Sequence, residues 1–103
     1  MIMMHHIELG NTILSRRQKL KSLIKQGKIT LGGNKQLKIY GTLQCKSGKR
    51  MKIQNRVFFV SKKEAIHWGY RPCGHCMKRE YQNWKKGLIR IAISFKIFFV
   101  LGV

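Results

Sequence analysis

Cys73 and Cys76 are the residues best suited to chemistry, because a Cys-x-x-Cys turn can direct two sulfurs towards one ion. Zinc in proteins takes four soft or borderline ligands in a tetrahedron, and thiolates are common among them. Cys45, the one other cysteine of the chain, is the predicted third ligand. Redox chemistry is the alternative, since thioredoxin-like motifs share this spacing, but no βαβ pattern surrounds the pair. We therefore predict a structural zinc site.

The cysteine count and the chain termini bear on the cellular setting. Three cysteines are an odd number, which argues against a closed disulfide framework and favours a reducing compartment. Residues 1–9 have no basic region and no long apolar run, so we expect no secretory signal and a cytoplasmic location. The apolar segment 88–103 contains Arg90 and Lys96 and is short for a membrane span, so we do not expect a membrane partner.

Positive charge dominates the composition: 22 Lys and Arg residues oppose 3 acids, for a net charge of +19. After Glu8, twelve basic residues occur from Arg16 to Lys52, with no carboxylate among them. Such a balance predicts a polyanionic partner, for which we expect nucleic acid and DNA in particular; a solvated basic face is the alternative. The predicted contacts are Lys46, Lys49, Arg50, Lys52, Arg56 and Arg71.

Two further expectations follow from side-chain types. Tyr40 or Tyr70 could pack against a sugar or base of the nucleic acid. The three acids, Glu8, Glu64 and Glu80, offer no evident catalytic pair, and no phosphate-cradling glycine motif is present. We therefore predict no catalytic residues and no small-molecule substrate.

The elements that must position the cysteines predict an α+β fold, with a small antiparallel sheet flanked by helices and stabilised by zinc. Apolar spacing predicts a helix over residues 11–26, begun by Asn11 or Thr12. Gly32-Gly33-Asn34 indicates a loop, and alternation from residue 37 predicts a strand that leads to Cys45. Residues 47–49 predict a turn, and residues 57–60 a second strand.

The second half of the chain contains a helix start signal. Ser61 and Glu64 fit a capping box for a helix from residue 62 to Trp68, which Gly69 ends. Residues 70–72 are predicted to be extended, and a last helix follows the cysteine turn up to residue 86. We accordingly divide the chain into a helical extension at 1–36, a zinc-binding domain at 37–86 and an apolar tail at 87–103.

The segments Asn55-Arg56-Val57-Phe58-Phe59, Glu64-Ala65-Ile66 and Gly69-Tyr70-Arg71-Pro72-Cys73-Gly74-His75-Cys76 resemble the metal-binding domain of the Ada DNA-repair proteins. Residues 39–51 are similar to small stand-alone bacterial proteins that contain this domain. The resemblance covers about residues 37–82 and implies an Ada-like zinc-binding domain. In the repair proteins, four cysteines bind zinc, and one of them accepts a methyl group from a DNA phosphotriester.

Position 41 departs from the pattern of that family. Cys45 matches the second cysteine of the family's early pair, whereas Gly41 stands where the resemblance places the methyl-accepting cysteine. The resemblance therefore favours a zinc-binding module that binds nucleic acid. A methyl acceptor that uses Cys45, and a zinc-stabilised protein-interaction module, are the alternatives.

The fourth metal ligand is predicted to be His6, because His6-Ile7-Glu8-Leu9 resembles the opening of the small stand-alone relatives. His75 lies inside the turn, where chelation together with both cysteines would be strained, and His67 is typical of a helix surface. The alternative is that His6 is a mobile N-terminal histidine, with water or a substrate group as the fourth ligand.

Overall fold

Five short strands form one mixed sheet in the computed structural model, which describes residues 3–46 and 50–87. The sheet order is β1-β4-β2-β3-β5. Its strands are β1 Met4–His5, β2 Leu31–Asn34, β3 Ile39–Thr42, β4 Arg56–Phe59 and β5 Arg71–Pro72. The predicted α+β class is confirmed, and the predicted helical extension at 1–36 contributes β1 and β2 to this sheet.

The sheet is mixed because β5 runs parallel to β3, whereas every other neighbouring pair is antiparallel. The sequence predicted only antiparallel pairing. Parallel neighbours need a crossover, since a tight turn reverses the chain. Between β3 and β5 the chain passes through β4 and a helix, which returns it to the outer side of β3. This edge placement brings the Cys-x-x-Cys turn close to the end of β3.

Gly32-Gly33-Asn34 belongs to β2, between β4 and β3, so the predicted loop is wrong. Glycine usually weakens a strand, but here the neighbouring side chains leave no room for a larger residue. A Cβ on Gly33 would lie 3.0 Å from Cε2 of Phe59, 3.1 Å from the Ile39 oxygen and 3.2 Å from Cγ2 of Val57. The glycine therefore allows the core to close over the strand.

Gly33→Ala is expected to destabilise the fold by about 1–3 kcal/mol, because the added methyl group overpacks the core. Gly32→Ala is the matched control: its Cβ would meet no atom closer than 3.8 Å. Alanine in a strand also relieves the entropic penalty of glycine by about 0.5–1 kcal/mol. Urea unfolding of both variants measures the difference, and equal free energies of unfolding would contradict the packing argument.

Helix α1, Ile13–Lys25, confirms the first predicted helix. Thr12 is its N-cap, and the Thr12 and Ser15 side chains each accept a hydrogen bond from the other residue's amide. Burial along the helix is uneven, since Ile13 is 72% exposed while Leu23 packs with Ile29 and Phe58 against the sheet. The helix covers one face of the sheet through its second half.

Helix α2, Lys62–His67, begins at the predicted cap, where the Ser61 hydroxyl accepts from the Glu64 amide at 3.3 Å. The Glu64 carboxylate does not complete the predicted box with Ser61; it accepts from the Val60 amide at 3.3 Å. Gly69, at φ +82°, lies just after the helix, in a conformation that favours glycine. A third helix, α3, covers residues 78–87.

The main core lies on the sheet face opposite α1. It contains Leu31, Tyr40, Val57, Phe59, Ala65, Tyr70 and Met77. The predicted turn at 47–49 and the apolar residues 88–103 lie outside the described part of the chain. Within residues 3–46 and 50–87, no helix has the length and apolar character needed to cross a membrane.

Candidate metal centre

The three cysteines lie together, although 28 residues separate the first two. Their sulfur atoms all lie within 4.8 Å of one another, and Sγ of Cys45 is 3.8 Å from Sγ of Cys73. Thiolates about 2.3 Å from a tetrahedral zinc ion are about 3.8 Å apart. The observed separation therefore fits zinc ligation by these residues.

Backbone hydrogen bonds from β3 hold two of the cysteines. The Cys73 amide donates to the Tyr40 oxygen at 2.7 Å, which continues the parallel pairing of β5 with β3. The Cys45 amide donates to the Thr42 oxygen at 3.2 Å and closes a turn directly after β3. Because both anchors belong to one strand, the spacing of Cys45 and Cys73 is fixed by the sheet.

Amide groups also contact the sulfur atoms. The Thr42 amide donates to Sγ of Cys76 at 3.3 Å, and the His75 amide donates to Sγ of Cys73 at 3.4 Å. Burial raises the pKa of the Cys76 thiol, and the hydrogen bond from Thr42 opposes this rise. Amide donors and a bound cation both favour thiolates, so the surroundings suit sulfur ligands.

Gly41 lies directly against the cysteine cluster. A Cβ on this residue would be 2.7 Å from Sγ of Cys76 and 3.2 Å from Cβ of Cys73. A side chain at position 41 would therefore project among the ligands. The sequence resemblance assigned a family ligand to this position, and the geometry shows that glycine removes a group that would have been within reach.

His6 is not brought to the three cysteines. It follows β1, at the opposite edge of the sheet from β5, and its ring lies edge-on to Phe58 at 5.3 Å. Three strand spacings separate β1 from β3, about 14 Å in total. Burial lowers the pKa of His6, and the positive charges of Arg56 and Arg16 lower it further. These surroundings favour the neutral form of the His6 imidazole, which packs against Phe58.

The other histidines also lie apart from the sulfur atoms. His75 is exposed on the cysteine turn, and its amide, not its ring, contacts Cys73. His67 is exposed at the end of α2, with its ring 5.5 Å from that of Trp68. Among residues 3–46 and 50–87, the donor group contains three thiols and no imidazole or carboxylate.

The predicted nucleic-acid contacts have different surroundings. Lys46, Arg50 and Lys52 follow Cys45 closely in the sequence and are exposed, and Lys49 is outside the described residues. Arg56 is half-buried, and burial lowers its pKa. The exposed group is therefore accessible to a partner, whereas Arg56 faces a more enclosed space.

Arg71 is held in place beside the metal ligands. Its guanidinium lies 5.2 Å from the ring centre of Tyr81 and 5.5 Å from that of Trp84, on α3. Its Nη1 donates to the Pro72 oxygen at 3.0 Å. These contacts attach α3 to β5 and give Arg71 the partly structural role that the sequence indicated.

Tyr40 and Tyr70 are not available to stack on a nucleic acid, so that expectation is wrong. They expose 1% and 3% of their surface and belong to the main core. Tyr70 packs edge-on against Phe59, with ring centres 4.8 Å apart. Because both rings are buried in the core, neither can reach a base or sugar outside the protein.

Sequence reasoning missed a cavity of about 600 Å³ beside the cysteines. Gly32 and Gly41 lie opposite each other in neighbouring strands and both line it, together with Cys45 and Cys73. Two glycines at paired positions on one sheet face create a hollow. The pairing of Gly32 with Gly41 is the feature that indicates the cavity, and it can be recognised only once β2 is known to be a strand.

The model of the family described as the metal binding domain of Ada matches residues 26–78, just over half of the 103 residues. The matched range includes all three cysteines and Gly41. Comparisons with curated proteins and with solved structures give no match.

Proposed function

We propose that this chain, which belongs to the family of the metal binding domain of Ada, is a zinc-binding module that binds nucleic acid, with DNA as the expected partner. The observation that carries the proposal is the cluster of Cys45, Cys73 and Cys76, whose sulfur atoms have a spacing suited to zinc. We favour binding over methyl transfer because position 41 is a glycine.

Zinc is the metal that best matches this donor set. Three cysteine sulfurs are soft ligands, which select zinc over magnesium or calcium, since those ions prefer oxygen. Cys45 follows β3, whereas Cys73 and Cys76 follow β5. When bound, the ion would supply a cross-link between these two parts of the chain. In a domain of this size, such a link is a usual substitute for a larger core.

Nucleic acid is the partner that the charge supports. The 22 basic residues exceed the 3 acids by 19, so most positive charges have no acidic partner in the chain. Two of the acids are already engaged: Glu80 contacts Lys62 at 2.7 Å, and Glu64 is buried at the start of α2. Lys46, Arg50 and Lys52 are exposed and follow Cys45 within seven positions of the chain, where phosphate groups could reach them.

Purified protein is expected to contain one zinc ion per chain, and Cys45→Ala should lose most of it because two thiolates hold zinc far less tightly than three. His6→Ala is the matched control, since the imidazole packs against Phe58. Metal analysis by mass spectrometry checks both variants. Full retention in Cys45→Ala, or loss in His6→Ala, would contradict the assigned ligands.

The nucleic-acid part is tested by the salt dependence of affinity for duplex DNA, because phosphate contacts release counterions. A module that binds other proteins would instead retain its partners in a lysate treated with nuclease.

A further inference from the structure

The cavity beside the cysteines has a specific construction. Gly32 and Gly41 contribute its floor on the β2–β3 pair, and Cys45 and Cys73 lie at its margin. The walls are predominantly apolar: Leu20, Ile24, Leu37, Leu43, Met51 and Phe58. A space of about 600 Å³ with this lining is of the size that small-molecule sites have.

Three side chains of the described residues 3–46 and 50–87 converge on the metal centre, and no fourth one joins them there. Every cysteine, histidine and acid of the sequence lies within residues 3–46 and 50–87, and in that part only the three thiols come together. Tetrahedral zinc requires one more donor, and sites with three protein ligands keep an exchangeable fourth one. A Cβ on Gly41 would lie 2.7 Å from Sγ of Cys76, so the absence of a side chain lets this sulfur approach β3 closely.

We infer that the fourth coordination position takes an exchangeable small molecule that enters from this cavity and carries a thiol on an apolar body. The inference rests on the proposed zinc-binding function. It departs from the expectation, drawn from the sequence, that the protein has no small-molecule ligand. That expectation relied on the absence of catalytic groups, whereas this site needs none, because Gly32 and Gly41 line the cavity and the cysteines would hold the ion.

The lining and the charge determine the class of ligand. Apolar walls favour an apolar body, and a site with three thiolates matches a fourth soft donor. On binding, the thiol would replace a water molecule at the fourth position: its sulfur would donate a lone pair to the ion, its proton would pass to solvent and the water would leave to solvent. Four thiolates around a divalent cation carry two net negative charges, and Arg56 and Arg71 are among the residues that line the same cavity. Their positive charges favour this anionic state over a neutral fourth ligand.

The test uses the full chain with cobalt(II) in place of zinc, because cobalt bound to thiolates absorbs visible light and reports each change of ligand. Phenylmethanethiol is the apolar probe, 2-mercaptoethanol the small polar thiol and imidazole the non-thiol donor. We expect a saturable spectral change with phenylmethanethiol at a concentration at least tenfold lower than with the other two. Equal or tighter binding of imidazole would overturn the thiol assignment.

Gly32→Val tests the cavity without altering a metal ligand. Its added methyl groups would enter the space beside Leu43 and Phe58, since a Cβ at this position lies 3.8 Å and 4.0 Å from those side chains. We expect at least a tenfold weaker response to phenylmethanethiol, with cobalt content and the response to 2-mercaptoethanol unchanged. An unaltered response to phenylmethanethiol would overturn the placement of the ligand body in the cavity.

Gly41→Cys tests the coordination position. The new thiol is expected to complete the site once Sγ of Cys76 shifts to make room while it remains a ligand. The spectrum should then be unchanged by all three probes. If this variant does not fold, the wild-type and Gly32→Val titrations still decide. One cobalt per chain with no spectral response to any probe would overturn the inference and leave the metal-binding function intact. Failure to bind cobalt or zinc at all would overturn both.

Discussion

Removal of the metal with a chelator at neutral pH is expected to unfold this protein. The cysteine ligands connect the turn after β3 to the segment after β5, and none of the three cysteines forms a disulfide that would join these parts. Structural zinc supplies about 10–16 kcal/mol in small zinc-binding peptides, whereas a typical domain is stable by about 5–15 kcal/mol. Loss of the ion therefore removes a stabilising free energy comparable to the whole free energy of unfolding of a typical domain.

Circular dichroism and one-dimensional NMR after chelation measure this effect, and added zinc should restore both signals. Cys73→Ser is expected to resemble the chelated protein. His75→Ala is the matched control two residues away, because the ring is exposed and the amide that contacts Sγ of Cys73 is retained. A chelated protein that keeps dispersed NMR signals and a cooperative melting transition would show that the core suffices without the ion.

Affinity for duplex DNA is expected to fall by about 10³-fold or more between about 50 mM and 200 mM salt, if six or more phosphates are neutralised. The net charge of +19 supports contacts on this scale. Each lysine or arginine that contacts a phosphate releases counterions from the DNA, and added salt opposes that release. Fluorescence anisotropy with a labelled duplex, repeated over a series of salt concentrations, gives the slope.

Two triple variants locate the surface. The first changes the exposed group that follows Cys45 in the chain (Lys46→Glu, Arg50→Glu and Lys52→Glu), and the second makes an equal change of charge on α1 (Lys19→Glu, Lys21→Glu and Lys25→Glu). We expect the first to reduce the salt slope by about three, one for each lost phosphate contact, and the second to reduce it less. Equal effects, or an affinity independent of salt, would contradict a basic surface at the metal site.

Local signals in the sequence predicted the parts of the fold that depend on neighbours along the chain. The Thr12 cap, the Ser61 hydrogen bond and the Gly69 helix end each involve residues a few positions apart. The Cys-x-x-Cys turn belongs to the same class. Glu64 is the partial exception, because its carboxylate accepts from Val60 and not from Ser61.

Features that depend on strand pairing could not be predicted from the sequence. The glycines at 32 and 33 predicted a loop, because the sequence does not show which side chains pack against them. The close packing of Gly33 against Phe59 and Val57 exists only once β2 is paired with β4. Tyr40 and Tyr70 looked available for stacking because side-chain type does not reveal burial. The resemblance suggested His6 as a ligand, but the sheet order places β1 far from β5. In each case a partner distant in sequence decided the outcome.

The parallel pairing of β5 with β3 has a consequence for how the donor set comes apart. β2 and β3 are joined by only four residues, so they form the most local pair of the sheet, and Cys45 follows it directly. β5 has two residues, lies at the sheet edge and is held through the Arg71 and Cys73 amides. Short edge elements open at low free-energy cost, ahead of global unfolding. Fraying of this edge would release Cys73 and Cys76 together while Cys45 stays with its hairpin, so metal exchange can proceed while the rest of the sheet remains folded.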